Sequence, residues 1–225
     1  MTALHLADER EAADLAAFLS RLIHYDRSAA VRLQAAGTAL AVFGRPPSFE
    51  VLAIRAVRLA KPYENGLDVT LDVTVSAGEL LESVDESAAT AGVPGAVTGP
   101  PWAGVLPPRG GWRSEPGLPV PDALRAMVGA AVAEFRSRTQ ELAPEQRTRA
   151  ELDRIGRDIW SRTVGDTRLP VRAAHAAQSL GFLRSTHEAG DLALFSSGAW
   201  LRLRTPFGSI AVRRTGLGAL DVSVR

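Results

Sequence analysis

Residues 67 to 75 most restrict what this chain can fold into, because apolar and polar side chains alternate there without exception. The apolar set is Leu67, Val69, Leu71, Val73 and Val75, and the polar set is Asp68, Thr70, Asp72 and Thr74. A period of two is typical of a β-strand with one face in a core and the other toward water or a partner. We therefore expect the fold to be built around a sheet with one buried face.

The residues before this strand predict a helix and three further strands. Asp8 is a good N-cap for a helix over residues 8–24, whose apolar side chains recur at helical spacing. Glycine-containing turns then separate short alternating segments, which predicts a four-stranded antiparallel meander. Its strands are expected near residues 31–33, 40–43, 49–59 and 67–75. Ser76 and Glu79 form a capping box that starts a short helix.

The second half repeats this order with extra helices. Helical periodicity over residues 122–142 and 144–164 predicts an αα-hairpin, and a further helix is expected over residues 170–183. A second four-stranded meander follows, with strands near residues 192–195, 200–204, 210–213 and 220–224. The predicted fold class is α+β: two antiparallel four-stranded meanders, each preceded by a helix, with the helical hairpin inserted in the second half.

Two short matches between the halves suggest an internal repeat. Val31-Arg32-Leu33-Gln34 and Leu201-Arg202-Leu203-Arg204 precede turns at Gly37 and Gly208, and each turn is followed by a similar apolar strand. We interpret the halves as related by pseudo-two-fold symmetry. The expected organisation is a helix-plus-meander half over residues 1–87, a connecting segment over residues 88–121, and a second half over residues 122–225.

The composition excludes several kinds of chemistry. The chain has no cysteine, so it has no disulfide, no thiol nucleophile and no Cys-ligated metal. Lys61 is the single lysine, and its Lys-Pro context does not suit a phosphate loop or a Schiff base. A net charge of +1 provides no overall field for nucleic acid or membrane. We expect a cytoplasmic protein with no membrane partner, no cofactor and no metal.

The connecting segment carries the first group of candidate binding residues. Residues 88–121 hold eight of the fourteen prolines and show no periodicity. The candidates in this segment are Trp102, Arg109, Trp112 and Arg113. Three interpretations remain open: an ordered strap whose tryptophans pack on the protein's own core, a recognition or lid segment, and a linker.

The predicted strand over residues 200–204 carries the second group. Alternation places Trp200, Arg202 and Arg204 on one face, and Arg213 and Arg214 lie on a neighbouring strand. Such a face could bind RNA or a single strand by phosphate contact and stacking, or it could receive an acidic patch of a protein. The alternative is an outer sheet face in water with arginines paired to helix carboxylates.

Three histidines form the weakest group. His24, His175 and His187 could lie in a cleft between the halves, roofed by residues 99–113. Each also has a structural interpretation, such as a dipole-favoured position at a helix end for His24. Glu188 and Asp191 follow His187 without recognisable metal-ligand spacing.

Three functional classes stay open from the sequence. An interaction or adaptor protein that binds another protein through sheet and helix surfaces ranks first, because no catalytic motif is present. A nucleic-acid-binding protein using the arginine and tryptophan side chains of the sheet is the first alternative. An enzyme or small-molecule binder using the histidine cleft is the second. Homo-oligomerisation is compatible with all three.

Overall fold

The computed structural model describes residues 2–60, 71–184 and 192–214. Its strands are β1 (Ala3–His5), β2 (Ala30–Ala36), β3 (Ala39–Gly44), β4 (Leu52–Arg58), β5 (Asp72–Ser76), β6 (Val84–Asp85), β7 (Thr90–Gly92), β8 (Arg113–Glu115), β9 (Ala193–Ser197), β10 (Trp200–Thr205) and β11 (Gly208–Arg213). Its α-helices are α1 (Glu9–Tyr25), α2 (Ala77–Glu82), α3 (Pro121–Gln140), α4 (Arg149–Trp160) and α5 (Val171–Ser179).

One antiparallel sheet of eight strands runs through both halves of the chain. Its order is β5-β2-β3-β4-β11-β10-β9-β8. The halves meet where β4 pairs with β11, through the partners Ser209 with Ile54, Ile210 with Ala53 and Ala211 with Leu52. A separate three-stranded sheet has the order β1-β7-β6. The two predicted sheets are therefore one continuous sheet.

The predicted α+β class with antiparallel strands and a repeated architecture is confirmed. Outward from the pairing of β4 with β11, the first half contributes β4, β3 and β2 in that order, and the second half contributes β11, β10 and β9. Each half is therefore a three-stranded meander whose last strand lies at the junction. Helix α1 precedes the first meander and contacts β4, and α5 precedes the second and contacts β11. This order relates the β3-β4 hairpin to the β10-β11 hairpin. The sequence match instead relates the β2-β3 hairpin to β10-β11.

The outermost strands differ from the expected meanders. Strand β5 pairs with β2 instead of β4, so the first half has the strand order of a Greek key. In the second half the fourth described strand is β8, which comes from the connecting segment and pairs with β9. Residues 67–70 and the expected strand over residues 220–224 lie outside the described part of the chain.

Helices cover one face of the sheet and form the main core. The apolar stripe of α1 contributes Leu15, Phe18, Leu19 and Leu22, each at most 1% exposed. Phe18 stacks on Phe182, with ring centroids 5.6 Å apart, and so joins the two halves. From the sheet, the inward positions of β2, β3, β10 and β11 are almost fully buried, as their alternation predicts.

Capping side chains set where the helices begin. Asp8 accepts from the backbone N–H of Glu11 at 2.9 Å, which confirms the predicted start of α1. Pro144 starts only a short 3-10 turn, whereas the sequence predicted a helix beginning there. Helix α4 begins at Arg149, because the side chain of Thr148 accepts from the N–H of Glu151.

A buried group of charges links the halves on the helix side of the sheet. Arg55 of β4 donates to Glu11 at 2.9 Å and to the carbonyl of Phe207 at 2.8 Å. Both charged side chains are nearly inaccessible, at 7% exposed for Arg55 and 11% for Glu11. Asp14 accepts from Arg55 and also from Arg184, whose guanidinium lies 4.4 Å from the Phe207 ring centre. Burial of these ions is tolerated because each charge has a partner.

Candidate binding face

The face of the sheet opposite the helices carries the predicted arginine and tryptophan side chains. In β10 the burial alternates, with Leu201 and Leu203 in the core and Trp200, Arg202 and Arg204 turned away from it. Arg213 of β11 pairs with Trp200 in the sheet register. We call the group of side chains gathered at this end of the sheet the arginine–aromatic face; its members are Trp112, Phe195, Trp200, Arg202, Arg204 and Arg213.

Each arginine of this face lies over an aromatic ring. The guanidinium carbon of Arg202 is 5.8 Å from the ring centre of Trp112, and that of Arg204 is 5.0 Å from the ring centre of Phe195. Arg213 lies 5.7 Å from the ring centre of Trp200. These distances are within reach of a cation–π attraction, which does not use the N–H donors of the guanidinium group.

Carboxylates are missing from this face within the described ranges. None of Arg202, Arg204 and Arg213 has an acidic oxygen within the 4.0 Å that defines an ion pair, counting residues 2–60, 71–184 and 192–214. The helical hairpin behaves differently, since Arg162 pairs with Glu134 at 2.6 Å and Arg138 pairs with Asp158 at 2.5 Å. The described part of the sheet face therefore does not show the expected pairing of its arginines with helix carboxylates.

Arg202 lies in the least favourable electrostatic environment of the three. Burial lowers the pKa of its guanidinium below the ordinary value, and the nearby charge of Arg204 lowers that pKa further. Its Nε atom is buried without a hydrogen-bond partner among the described residues. A positive charge that is partly removed from water and lies beside a like charge favours the approach of an anion.

The connecting segment crosses this face as an ordered strap, which we define as residues 96–113. The strap starts at the β5 edge, where the N–H of Val97 donates to the carbonyl of Thr74 at 2.9 Å. Thr74 is only 8% exposed, although alternation predicted that it faces water, because residues 96–99 lie over it. The strap ends at the opposite edge, where β8 pairs with β9.

Apolar contacts fix the middle of the strap to the sheet. Trp102 and Leu106 pack against a second apolar cluster, separate from the main core. The buried members of this cluster are Phe43, Leu52, Ile54 and Ala211. Trp112 donates its indole N–H to the carbonyl of Pro108 and lies near Arg202. The structure thus brings Trp102 and Trp112 to the same side of the sheet as Trp200.

The remaining arginines of the two predicted groups are Arg109, Arg113 and Arg214. The exposed Arg109 belongs to the strap and acts electrostatically on Asp72 at the β5 edge. Partial burial opposes ionisation of Asp72, but hydrogen bonds from Arg32 and Gln34 and the charges of Arg32 and Arg109 hold its pKa below the ordinary value. Arg113 is exposed on β8, and Arg214 donates to the carbonyl of Gly198 beyond the end of β11.

Two of the three predicted histidines, His24 and His175, lie against aromatic rings of the helical layer. His175 of α5 stacks on Trp160 with ring centroids 4.6 Å apart and meets Phe49 edge-on at 5.1 Å. Burial lowers its pKa. His24 lies at the end of α1 against Tyr25, and His187 is outside the described residues. Within those residues, no group of three or more His, Asp or Glu side chains is arranged to hold a metal ion.

A groove of about 670 Å³ opens at one end of the strap. Asp26, Arg45 and Trp102 are among its lining residues, and the lining contains no histidine. The strap therefore roofs the outer sheet face, whereas His175 is packed among aromatic rings of the helical layer.

Sequence reasoning found the arginines and Trp112 but missed Phe195 and the contact between Trp112 and Arg202. The sequence predicts Phe195 only as a strand residue, although the β9-β10 register places it directly opposite Arg202 on the same face. The contact between Trp112 and Arg202 joins residues about ninety positions apart and has no local signal in the sequence. The register of the β9-β10 hairpin could have revealed that Phe195 lies beside Arg202. The contact of Trp112 with Arg202 is visible only from the course of the strap.

Comparisons with known proteins identify two families of unknown function. Residues 1–104 match a family described as domain of unknown function DUF8010, and residues 107–217 match one described as domain of unknown function DUF8185. The boundary between the two matches falls inside the strap. No curated protein matches the chain.

Two solved structures of the DNA polymerase sliding clamp from Pseudomonas aeruginosa resemble the chain at 12% and 13% identity, each with a TM-score of 0.48. The matches cover 94% and 98% of this chain but only 64% and 66% of the clamp chains. Among the described residues, no helix is both long enough and apolar enough to span a bilayer.

Proposed function

We propose that this protein is a non-catalytic interaction protein that binds an acidic surface of another protein through its arginine–aromatic face. The observation that carries the proposal is that three arginines lie on aromatic rings without a carboxylate partner among the described residues. Arginine and tryptophan are the side chains most enriched at energetically important positions of protein interfaces. A cytoplasmic location, expected from the sequence, is part of the same proposal.

The sheet face supports this role better than the helical hairpin does. The hairpin charges neutralise one another, with Glu134, Arg138, Asp158 and Arg162 joined in one network. A partner docking there would have to compete with these ion pairs. The arginines of the sheet face offer donors that no described acid occupies, so a partner would gain contacts without breaking any.

An acidic protein suits the face better than a nucleic acid. Binding of single strands relies on aromatic rings that are free to stack on bases. Here Trp112, Phe195 and Trp200 are all partly buried and lie against guanidinium groups. The overall charge of +1 also gives little long-range attraction for a polyanion.

Charge reversal on the face tests the proposal directly. The native protein, an Arg204→Glu/Arg213→Glu variant and an Arg136→Glu/Arg149→Glu variant would each capture proteins from native lysate, with and without nuclease. All four arginines are exposed, and Arg136 and Arg149 lie on α3 and α4, away from the face. The two double variants change the net charge equally, so only the location of the change differs.

The proposal expects a protein that the native chain and the helix variant retain and the face variant loses. Its capture should resist nuclease and weaken between low and high salt, because the contacts are charged. Equal capture by the two double variants would contradict the proposal. Capture that disappears with nuclease would instead favour a nucleic acid as the partner.

A further inference from the structure

We infer that the acidic partner inserts a carboxylate at the Arg202–Arg204 pair, with Arg202 as the anchoring group. This inference rests on the proposed function and adds which residue of the face binds and what chemical group it binds. The occupant is an Asp or Glu side chain of a protein segment.

The arrangement of the two guanidinium groups favours a carboxylate. Arg202 and Arg204 are two residues apart on β10, so both side chains leave the same face of the sheet about 7 Å from each other. The contact of each guanidinium with a ring uses none of its N–H donors, so these groups remain for a ligand. A planar carboxylate accepts two parallel hydrogen bonds from such a fork.

Burial makes Arg202, not Arg204, the anchor. Arg204 is exposed, so water already solvates its charge, and a new ion pair there gains little. Arg202 is half-buried, and its Nε lacks a partner among the described residues. A carboxylate that binds the terminal N–H groups of Arg202 gives this charge a partner and also relieves the repulsion from Arg204.

The same environment implies a cost in the unbound protein. A partly desolvated, unpaired charge beside a like charge destabilises the folded state, although the contact with Trp112 offsets part of this cost. Replacing Arg202 by Met keeps the long apolar stem and removes the charge. If Arg202 served a structural role, this substitution would lower the stability of the folded protein. If Arg202 is a binding residue in this environment, the stability would not fall.

The test uses the full chain with Arg202→Met, Arg202→Lys and Arg136→Met substitutions. Arg136 is an exposed arginine of α3, away from the face, and serves as the matched control. Binding of a fluorescent hexaglutamate peptide and of a twelve-residue oligothymidylate would be followed by anisotropy at low and physiological salt. Thermal denaturation of each unbound variant would supply the second readout.

We expect hexaglutamate to bind the native chain and the Arg136→Met variant equally. Arg202→Met should weaken binding by about tenfold or more, as expected for a charge-assisted hydrogen bond. Arg202→Lys should restore less than half of the lost free energy, because an ammonium group cannot bind bidentately. The Tm of the unbound Arg202→Met variant should equal or exceed the native value.

Unchanged peptide binding by Arg202→Met, or a clear fall in its Tm, would overturn the inference. Preference of the native chain for the oligothymidylate over hexaglutamate would overturn it as well. The inference and the proposed function can fail separately. If Arg202→Met retains a captured protein that Arg204→Glu/Arg213→Glu loses, the face binds a partner but Arg202 is not the anchor.

Discussion

At the scale of single residues, Arg55 and Arg202 show how one residue type takes two roles on opposite faces of a sheet. Arg55 is buried and is held by Glu11, Asp14 and a backbone carbonyl. Its charge is matched within the fold, so it contributes to joining the two halves. Arg202 is partly buried, has no carboxylate partner among the described residues, and lies near the Trp112 ring and the like charge of Arg204. Whether an arginine is structural or available to a ligand depends more on its partners within the fold than on how deeply it is buried.

His175 predicts how stability depends on pH. Burial among Phe49 and Trp160 lowers its folded-state pKa below 6.5, so the folded protein holds the neutral imidazole, and the unfolded chain takes up a proton first. Its contribution to stability is therefore fully present above about pH 6.5 and declines as the pH falls below that value. We expect the urea midpoint to decrease between pH 7 and pH 5.

An His175→Phe variant isolates this effect, because it keeps a ring at the same position and removes the titration. The difference between native and variant midpoints should change over the same pH range, and the other histidines cancel in that difference. Parallel pH profiles for the two proteins would show that His175 does not titrate in the way proposed.

At the scale of elements, the turn between β10 and β11 is fitted to the helical layer. A Cβ at Gly208 would lie 2.6 Å from ring carbons of Phe182, which itself stacks on Phe18 of α1. The ring cannot shift without disturbing that stack. The turn therefore depends on a glycine for space, in addition to any local preference.

Gly208→Ala should lower the free energy of unfolding by about 1–3 kcal/mol, the usual cost of forcing an extra group into a packed core. Gly129→Ala is the matched control, because Gly129 is in the interior of α3 and a Cβ there meets nothing within 4 Å. The control should gain about 0.5–1 kcal/mol from helix propensity. Urea denaturation of both variants measures the two effects, and equal free energies of unfolding would refute the clash.

At the scale of the whole molecule, the two halves share one sheet and one core. Strands β4 and β11 pair directly, and the main core draws side chains from both halves. The charges around Arg55 cross the same junction. The two family matches divide the chain near residue 105, but the sheet and the core continue across that boundary. We therefore expect the two parts to unfold as one cooperative unit.

Cavity-creating substitutions in the two halves should therefore affect a single transition. Leu33 of β2 and Leu203 of β10 are both completely buried. Leu33→Ala and Leu203→Ala should each lower the free energy of unfolding by about 2–5 kcal/mol. Tryptophan fluorescence and far-UV circular dichroism should report the same midpoint for each variant. Two separated transitions, each sensitive to one substitution, would show that the halves unfold independently.

Local patterns in the sequence determined the secondary-structure elements and the face of each element on which a side chain lies. Alternation in β10 placed Trp200, Arg202 and Arg204 together, and Asp8 marked the start of α1, because both depend only on neighbouring residues. The α+β class and the repeated order of elements follow from the same local signals.

The tertiary structure decided the pairings between distant segments. It placed β5 beside β2, recruited β8 from the connecting segment and laid the strap across the outer face, where it buries Thr74 and brings Trp112 to Arg202. Many strand orders satisfy the same alternation, so strand pairing is chosen by packing and hydrogen bonding over the whole chain. For that reason the sequence alone could name the arginines and the tryptophans, whereas the contacts between them and the charges around them became visible only in the fold.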